Sequence, residues 1–254
     1  MTRPSTVAAE ALPGLFTGQT TVVTGASSGV GRAIALSLAT QGAIVCLLGR
    51  KVDALQSVAD SMPATAPHPL IYQVDLTQDE DVDTLCAGLR RDCGQLDMLI
   101  HSAGVIIRGE VAGAAIADFD LQYRTNVRGV YLLTQALLPM LTPHCGQIVF
   151  VNSSVALRAR GGLAQYAASK HALKAIADSL RDEVNRDGIR VLSVYLGRTA
   201  TPMQAAVHKM EGREYHPEGL IQPEDVASVV THALSLPRTI EVTDITVRPL
   251  TKSS

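Results

Sequence analysis

The chain alternates short β-branched and aliphatic runs with longer amphipathic stretches. Residues 20–24 (TTVVT) read as a buried strand, followed by glycine-rich punctuation and a helical run over about 29–41. The alternation then repeats with a strand at 44–48, a helix near 51–61, a Pro-rich loop at 62–69, a strand at 70–74 and a helix at 79–92. A strand at 97–101 precedes one long helix over 118–141, with Pro139 near its end. A strand at 147–152 precedes a second long helix over 163–187, and a sixth strand covers 189–195. A polar segment, a short helix after Pro223 and a last strand near 242–248 complete the pattern. Strands joined by crossover-length helices predict an α/β fold: a doubly wound parallel sheet of about seven strands with helices on both faces. Such sheets bind ligands outside the carboxyl ends of their strands. No linker interrupts the pattern, so one domain over 19–254 is expected after an N-terminal extension, residues 1–18.

Composition removes several alternatives. With 46% hydrophobic residues and a formal net charge of −2, the chain is too apolar and too weakly charged for disorder. No basic excess is available to neutralise phosphates, and 4% aromatics without Trp leave few stacking platforms, so no nucleic-acid partner is expected. The first residues lack the apolar core of a signal peptide, and no window approaches the ~20 apolar residues of a membrane span. Four cysteines without a C-x-x-C pair suit reduced thiols in the cytoplasm. Seven histidines form no H-x-x-x-H set beside an acid, so no metal site is expected.

Chemistry concentrates in a few segments. Thr24 to Gly31 (TGASSGVG) lies between the first strand and first helix, with glycines spaced G-x-x-x-G-x-G. Glycines there allow positive φ and close approach to a pyrophosphate, whose charge a helix N-terminus favours. A tight turn with no ligand is the alternative. Asp75, ending the third strand, can accept a bond from an adenine amino group or cap the helix that follows. Gly49-Arg50 ends the second strand without the acid that would bind an NAD ribose. Arg50 offers a planar fork to a 2′-phosphate, or is a solvated loop residue.

Tyr166 and Lys170 stand four positions apart on a predicted helix, one turn along the same face. A neighbouring ammonium favours phenolate, so Tyr166 is expected to have a lowered pKa and to exchange a proton with a carbonyl or alcohol oxygen. Just upstream, Asn152-Ser153-Ser154 brings hydroxyls to a strand's carboxyl edge.

Together these motifs resemble the short-chain dehydrogenase/reductase family in its single-domain, Rossmann-like branch, from about residue 19 to 248. The resemblance implies NADP(H)-dependent interconversion of a ketone and a secondary alcohol, with NAD(H) left open. It implies Tyr166 as acid/base and Lys170 as its modulator and a nicotinamide-ribose ligand. Asn126 matches a helix asparagine that supports a proton-relay water. The family's S-S-x-A pattern points to Ser154 as the carbonyl-orienting serine. Ser154 lies 12 positions before Tyr166, whereas Ser153 lies at the family's usual 13. The expected cofactor contacts are Gly25, Ser27, Ser28, Gly29, Val30, Gly31, Arg50, Asp75, Leu76, Ser102, Ala103, Gly104, Tyr166, Lys170, Gly197, Thr199 and Thr201. Two departures stand out. The usual N-N-A-G is His101-Ser102-Ala103-Gly104, losing amides that brace the central strands, and the usual P-G is Leu196-Gly197.

The family places its variable substrate lid at 202–222, where Met203, Val207, Met210, Tyr215 and Leu220 can wall an apolar pocket or simply pack a short helix. Lys209, Arg213 and His216 would suit an oxygenated or acidic substrate. The two long helices imply a homodimer or homotetramer. A dinucleotide-binding sensor with little turnover is the competing function, and an intact Tyr, Lys, Ser and Asn set argues against it.

Overall fold

Seven parallel strands form one sheet in the order β3-β2-β1-β4-β5-β6-β7. They are β1 (Thr20–Thr24), β2 (Ile44–Gly49), β3 (Leu70–Gln73), β4 (Met98–His101), β5 (Gln147–Ser153), β6 (Arg190–Leu196) and β7 (Asp244–Val247). The computed structural model describes residues 14–251. Strand order reverses between β1 and β4, which opens a crevice at the carboxyl ends of those strands.

Helices cover both faces: α1 (Gly29–Thr40), α2 (Val52–Ala59), α3 (Asp79–Asp92), α4 (Ile116–Tyr123), α5 (Gly129–Leu141), α6 (Ala164–Val184), α7 (Pro202–Met210) and α8 (Pro223–Ser235). Adjacent strand residues enter opposite cores. Val23, Val45 and Leu47 pack beneath α1 and α8, whereas Val22, Cys46 and Leu48 pack beneath α3, α5 and α6. Burial on both faces explains why the strands read as continuous apolar runs instead of alternating ones. Ala33, Ala35 and Ala39 keep α1 slim where it meets α8.

Two expectations need correction. The helix expected over 118–141 is two helices, α4 and α5, joined by a π-helical turn at Arg124–Arg128. The wider turn changes the helical phase and carries Asn126 to full burial. The proposed extension also ends earlier than residue 18. Phe16 is 1% exposed in the α1 core, and its amide donates to the Gln41 carbonyl at 3.0 Å. A buried aromatic ring cannot be left in solvent, so residues 14–18 belong to the domain; residues 1–13 lie outside those described. Among the described residues no helix is long and apolar enough to cross a membrane.

Candidate active site

A cleft of about 930 Å³ opens over the β1/β4 switch point. The β1–α1 loop forms one wall. Gly25 has φ +64°, and a Cβ on it would lie 2.8 Å from the Ala103 Cα. A Cβ on Gly31 would lie 2.5 Å from the Gly25 carbonyl oxygen. Glycine alone fits both positions, and the loop closes into a backbone-lined cradle. Ser28 begins α1 in extended conformation without a side-chain cap, so the first-turn amides remain available to an anion. Ser27, Ser28, Gly29 and Val30 all line the cleft. Thr24 ties this loop to its neighbour: its Oγ1 accepts from the Ser102 and Ala103 amides, both at 3.0 Å.

His101 replaces the expected brace with a different one. Its ring stacks on Phe150 with centroids 5.0 Å apart, and Nε2 lies 2.8 Å from Thr134 Oγ1. The Thr134 proton goes to the Val130 carbonyl at 2.8 Å, so His101 Nε2 is the donor to Thr134. Burial holds this histidine down to about 3.

Arg50, Asp75 and Leu76 also line the cleft. Arg50 is exposed just beyond β2, and among the described residues no carboxylate pairs with it. Asp75 Oδ1 accepts from the Thr77 amide (3.0 Å) and hydroxyl (2.8 Å). It therefore shapes a turn while facing the cleft; the residue preceding α3 is Gln78.

Tyr166 and Lys170 occupy one face of α6, with Lys170 Nζ 5.9 Å from the Tyr166 ring centroid. Lys170 Nζ donates to the Val151 carbonyl at 3.3 Å. Asn126 Oδ1 accepts from the Val105 amide at 2.8 Å, and Nδ2 donates to the Val105 carbonyl (2.9 Å) and Ser169 Oγ (3.0 Å). It fastens the segment after β4 to α6. Gly104 lies between these groups: a Cβ there would stand 3.3 Å from Asn126 Oδ1 and 3.7 Å from Lys170 Nζ.

Burial pushes the Tyr166 phenol up to about 12, against a lowering contribution from the Ser153 hydroxyl. Burial also pushes Lys170 down to about 8. The lowering of Tyr166 expected from Lys170 does not set its direction: desolvation of the buried phenolate pushes the phenol up. Ser153 and Ser154 both line the cleft. β5 runs one residue further than expected, through Ser153, whose hydroxyl accepts from the Val155 amide at 3.4 Å and acts to lower the Tyr166 phenol. Ser154 starts a 3-10 turn, and its carbonyl accepts from the Leu157 and Arg158 amides.

Beyond β6, the Gly197 amide donates to the Val247 carbonyl at 2.8 Å and prolongs the β6–β7 ladder without the usual proline. Thr199 donates to the Gly197 carbonyl, and Thr201 caps α7 by accepting from the Gln204 amide at 3.1 Å. Gly197, Thr199 and Thr201 line the cleft. Cradle, uncapped helix start and the Tyr166 group all line this one cleft.

A sequence model described as short chain dehydrogenase matches residues 19–212. The chain belongs to the short-chain dehydrogenase family. It is 32% identical over 237 residues to an uncharacterised oxidoreductase of Staphylococcus aureus (strain N315), covering 93% of this chain and 99% of that one. A short-chain dehydrogenase of Shigella flexneri 2a complexed with NADP shares its fold at a TM-score of 0.85 with 29% identity, covering 92% and 98% of the two chains. A 3-ketoacyl-(acyl-carrier-protein) reductase of Brucella melitensis complexed with NADH gives 0.81 and 26%, covering 91% and 97%.

This short-chain dehydrogenase uses only part of the expected lid. Met203, Val207 and Arg213 line the cleft; Met210, Tyr215, Leu220, Lys209 and His216 do not. Tyr215 instead packs edge-on against His208 at 5.3 Å, and Leu220 is buried. Linear reading missed Arg108, Arg160, Arg198 and Glu211, which also line it. Their segments are far apart in the chain and carry no local motif.

Proposed function

We propose that this oxidoreductase interconverts a ketone and a secondary alcohol with a nicotinamide dinucleotide, NADP(H) in preference to NAD(H). The observation that carries this reading is the convergence of Ser153, Tyr166 and Lys170 on the cleft that contains the glycine cradle. In reduction, the Ser153 hydroxyl donates to the substrate carbonyl oxygen and orients it. Tyr166 delivers its phenolic proton to the same oxygen as negative charge develops there. Lys170 supplies positive charge one turn away, and Asn126 holds the segment after β4 in register with α6. The bound nicotinamide supplies the hydride. In the reverse direction Tyr166 takes the proton from the alcohol.

NADP(H) is favoured because Arg50 stands at the end of β2, where an acid would favour NAD. The Shigella neighbour complexed with NADP supports this choice, and the Brucella neighbour complexed with NADH keeps NAD(H) as a secondary cofactor. Exposed Ile116, Phe119 and Tyr123 on α4 and Tyr131 on α5 support a homodimer or homotetramer. Light scattering of the eluted protein that gives the mass of one chain contradicts that assembly.

The deciding experiment is NADPH oxidation over a ketone panel with the wild type and Tyr166→Phe. Turnover lost in Tyr166→Phe, with NADPH affinity retained, supports the reading. Tight NADPH binding with no turnover on any ketone would instead support a sensor.

A further inference from the structure

The substrate end of the cleft carries a charge imbalance that a neutral ketone does not require. Its walls include Arg108, Arg160, Arg198, Arg213 and Glu211, four guanidiniums against one carboxylate, in a chain of formal net charge −2. Glu211 is the hub. Its side chain is 10% exposed and accepts from Arg198 Nη2 at 2.8 and 2.9 Å and from Arg108 Nη1 at 2.6 Å. One acid therefore answers two cations, and one positive charge at this half-buried junction is left unmatched.

The two arginines differ in what remains free. Arg198 also donates through Nη1 to His208 Nε2 at 3.3 Å, so both ends of its fork are engaged. Arg108 bonds through Nη1 alone; among the described residues its Nε and Nη2 have no hydrogen-bond partner. Its Nη2 lies 3.5 Å from where a Gly162 Cβ would stand, so Gly162 keeps space beside that free edge. Arg160 and Arg213 are exposed, and among the described residues neither forms an ion pair.

Arg108 is also close to the reacting group. The next residue, Gly109, forms a bridge with Leu163, and its amide donates to the Gly162 carbonyl at 3.1 Å. Leu163 precedes Tyr166 by three residues, about 4.5 Å along a helix axis. Apolar Val105, Ile106 and Leu163 line the same part of the cleft.

We infer that the substrate is an oxo acid, with a carboxylate a few carbons from the carbonyl that faces Tyr166. The free edge of Arg108 receives the carboxylate as a two-point pair, and Arg160 and Arg213 attract it at the mouth. The apolar residues take the intervening carbons. The one unmatched charge at the Glu211 junction suits a single carboxylate there, with the exposed Arg160 and Arg213 adding attraction from the mouth. The inference rests on the carbonyl-reduction reading above and names its substrate class.

The test compares 5-oxohexanoate with methyl 5-oxohexanoate, a matched pair that differs in charge. With NADPH and wild-type enzyme, kcat/KM for the acid should exceed that for the ester by about ten-fold or more, and the ratio should shrink as salt is added. Arg108→Gln should bring the ratio close to one. Arg213→Gln, an exposed substitution that does not disturb the core, should lower it in the same direction. Calorimetric titration of the NADP+-saturated enzyme should show the acid binding more tightly than the ester.

An ester used as well as the acid leaves carbonyl reduction standing and overturns the oxo-acid assignment. Tighter binding of the acid without turnover of either compound overturns the reductase reading and leaves the carboxylate site standing. Absence of both binding and turnover for the acid also overturns the assignment. A ratio unchanged in both arginine variants removes the role given to these side chains.

Discussion

The Ser153 hydroxyl, on the last residue of β5, opposes the upward push of burial on the Tyr166 phenol, in the first turn of α6, and both line the cleft. Ser154, next along the chain, opens a 3-10 turn through its backbone carbonyl, while Ser153 Oγ caps that turn. Ser153→Ala should therefore lower kcat for ketone reduction by roughly 10²–10³, the usual effect of removing one donor to a developing oxyanion. Ser154→Ala should stay within a few-fold of wild type. The opposite ranking in steady-state assays would return the carbonyl-orienting role to Ser154.

Burial lowers Lys170 to about 8 and raises Tyr166 to about 12, so around neutrality the lysine is charged and the phenol protonated. That combination favours proton delivery. The Lys170 charge is present below pH about 8 and lost as pH rises through it, while the phenol remains protonated. kcat/KM for reduction should fall on the alkaline side of this value, and Lys170→Met should abolish that limb. A profile that does not change across it would separate Lys170 from catalysis.

His101 makes the fold acid-sensitive. Its folded pKa is about 3 against an ordinary 6.5, so between these values the unfolded chain binds a proton that the folded chain does not. Stability is therefore full above the ordinary value and falls as pH drops through the window. His101→Asn should flatten this dependence. Urea midpoints measured from neutral pH down to about 4 check it; parallel curves for the two proteins would contradict the assignment.

Arg50 distinguishes the cofactors. Arg50→Ala should raise KM for NADPH by about ten-fold or more and change KM for NADH little, because only the former carries a 2′-phosphate for the guanidinium. Equal effects on both would show that Arg50 does not read the phosphate.

What the sequence determined by itself is what depends on short spacing within one element or turn. Gly25, Gly29 and Gly31 imply a phosphate cradle because a strand must turn directly into a helix there. Tyr166 and Lys170 share a face because four positions make one helical turn. The alternating runs gave the order of strands and helices, including strands buried on both faces. What joins distant segments was decided only by the tertiary structure. The β5–β6 ladder runs through the pair Ser153–Leu196, so the strand reaches the cleft edge one residue later than its apolar run suggests. The helix expected over 118–141 hid a π turn, because apolar periodicity cannot register one extra backbone residue. Arg108 and Glu211 stand 103 positions apart and meet because the loops after β4 and β6 open on the same edge of the sheet. Hydrophobic spacing determines which elements form; charge pairing and proton chemistry depend on a few ångströms between elements, and only the packed sheet sets those distances.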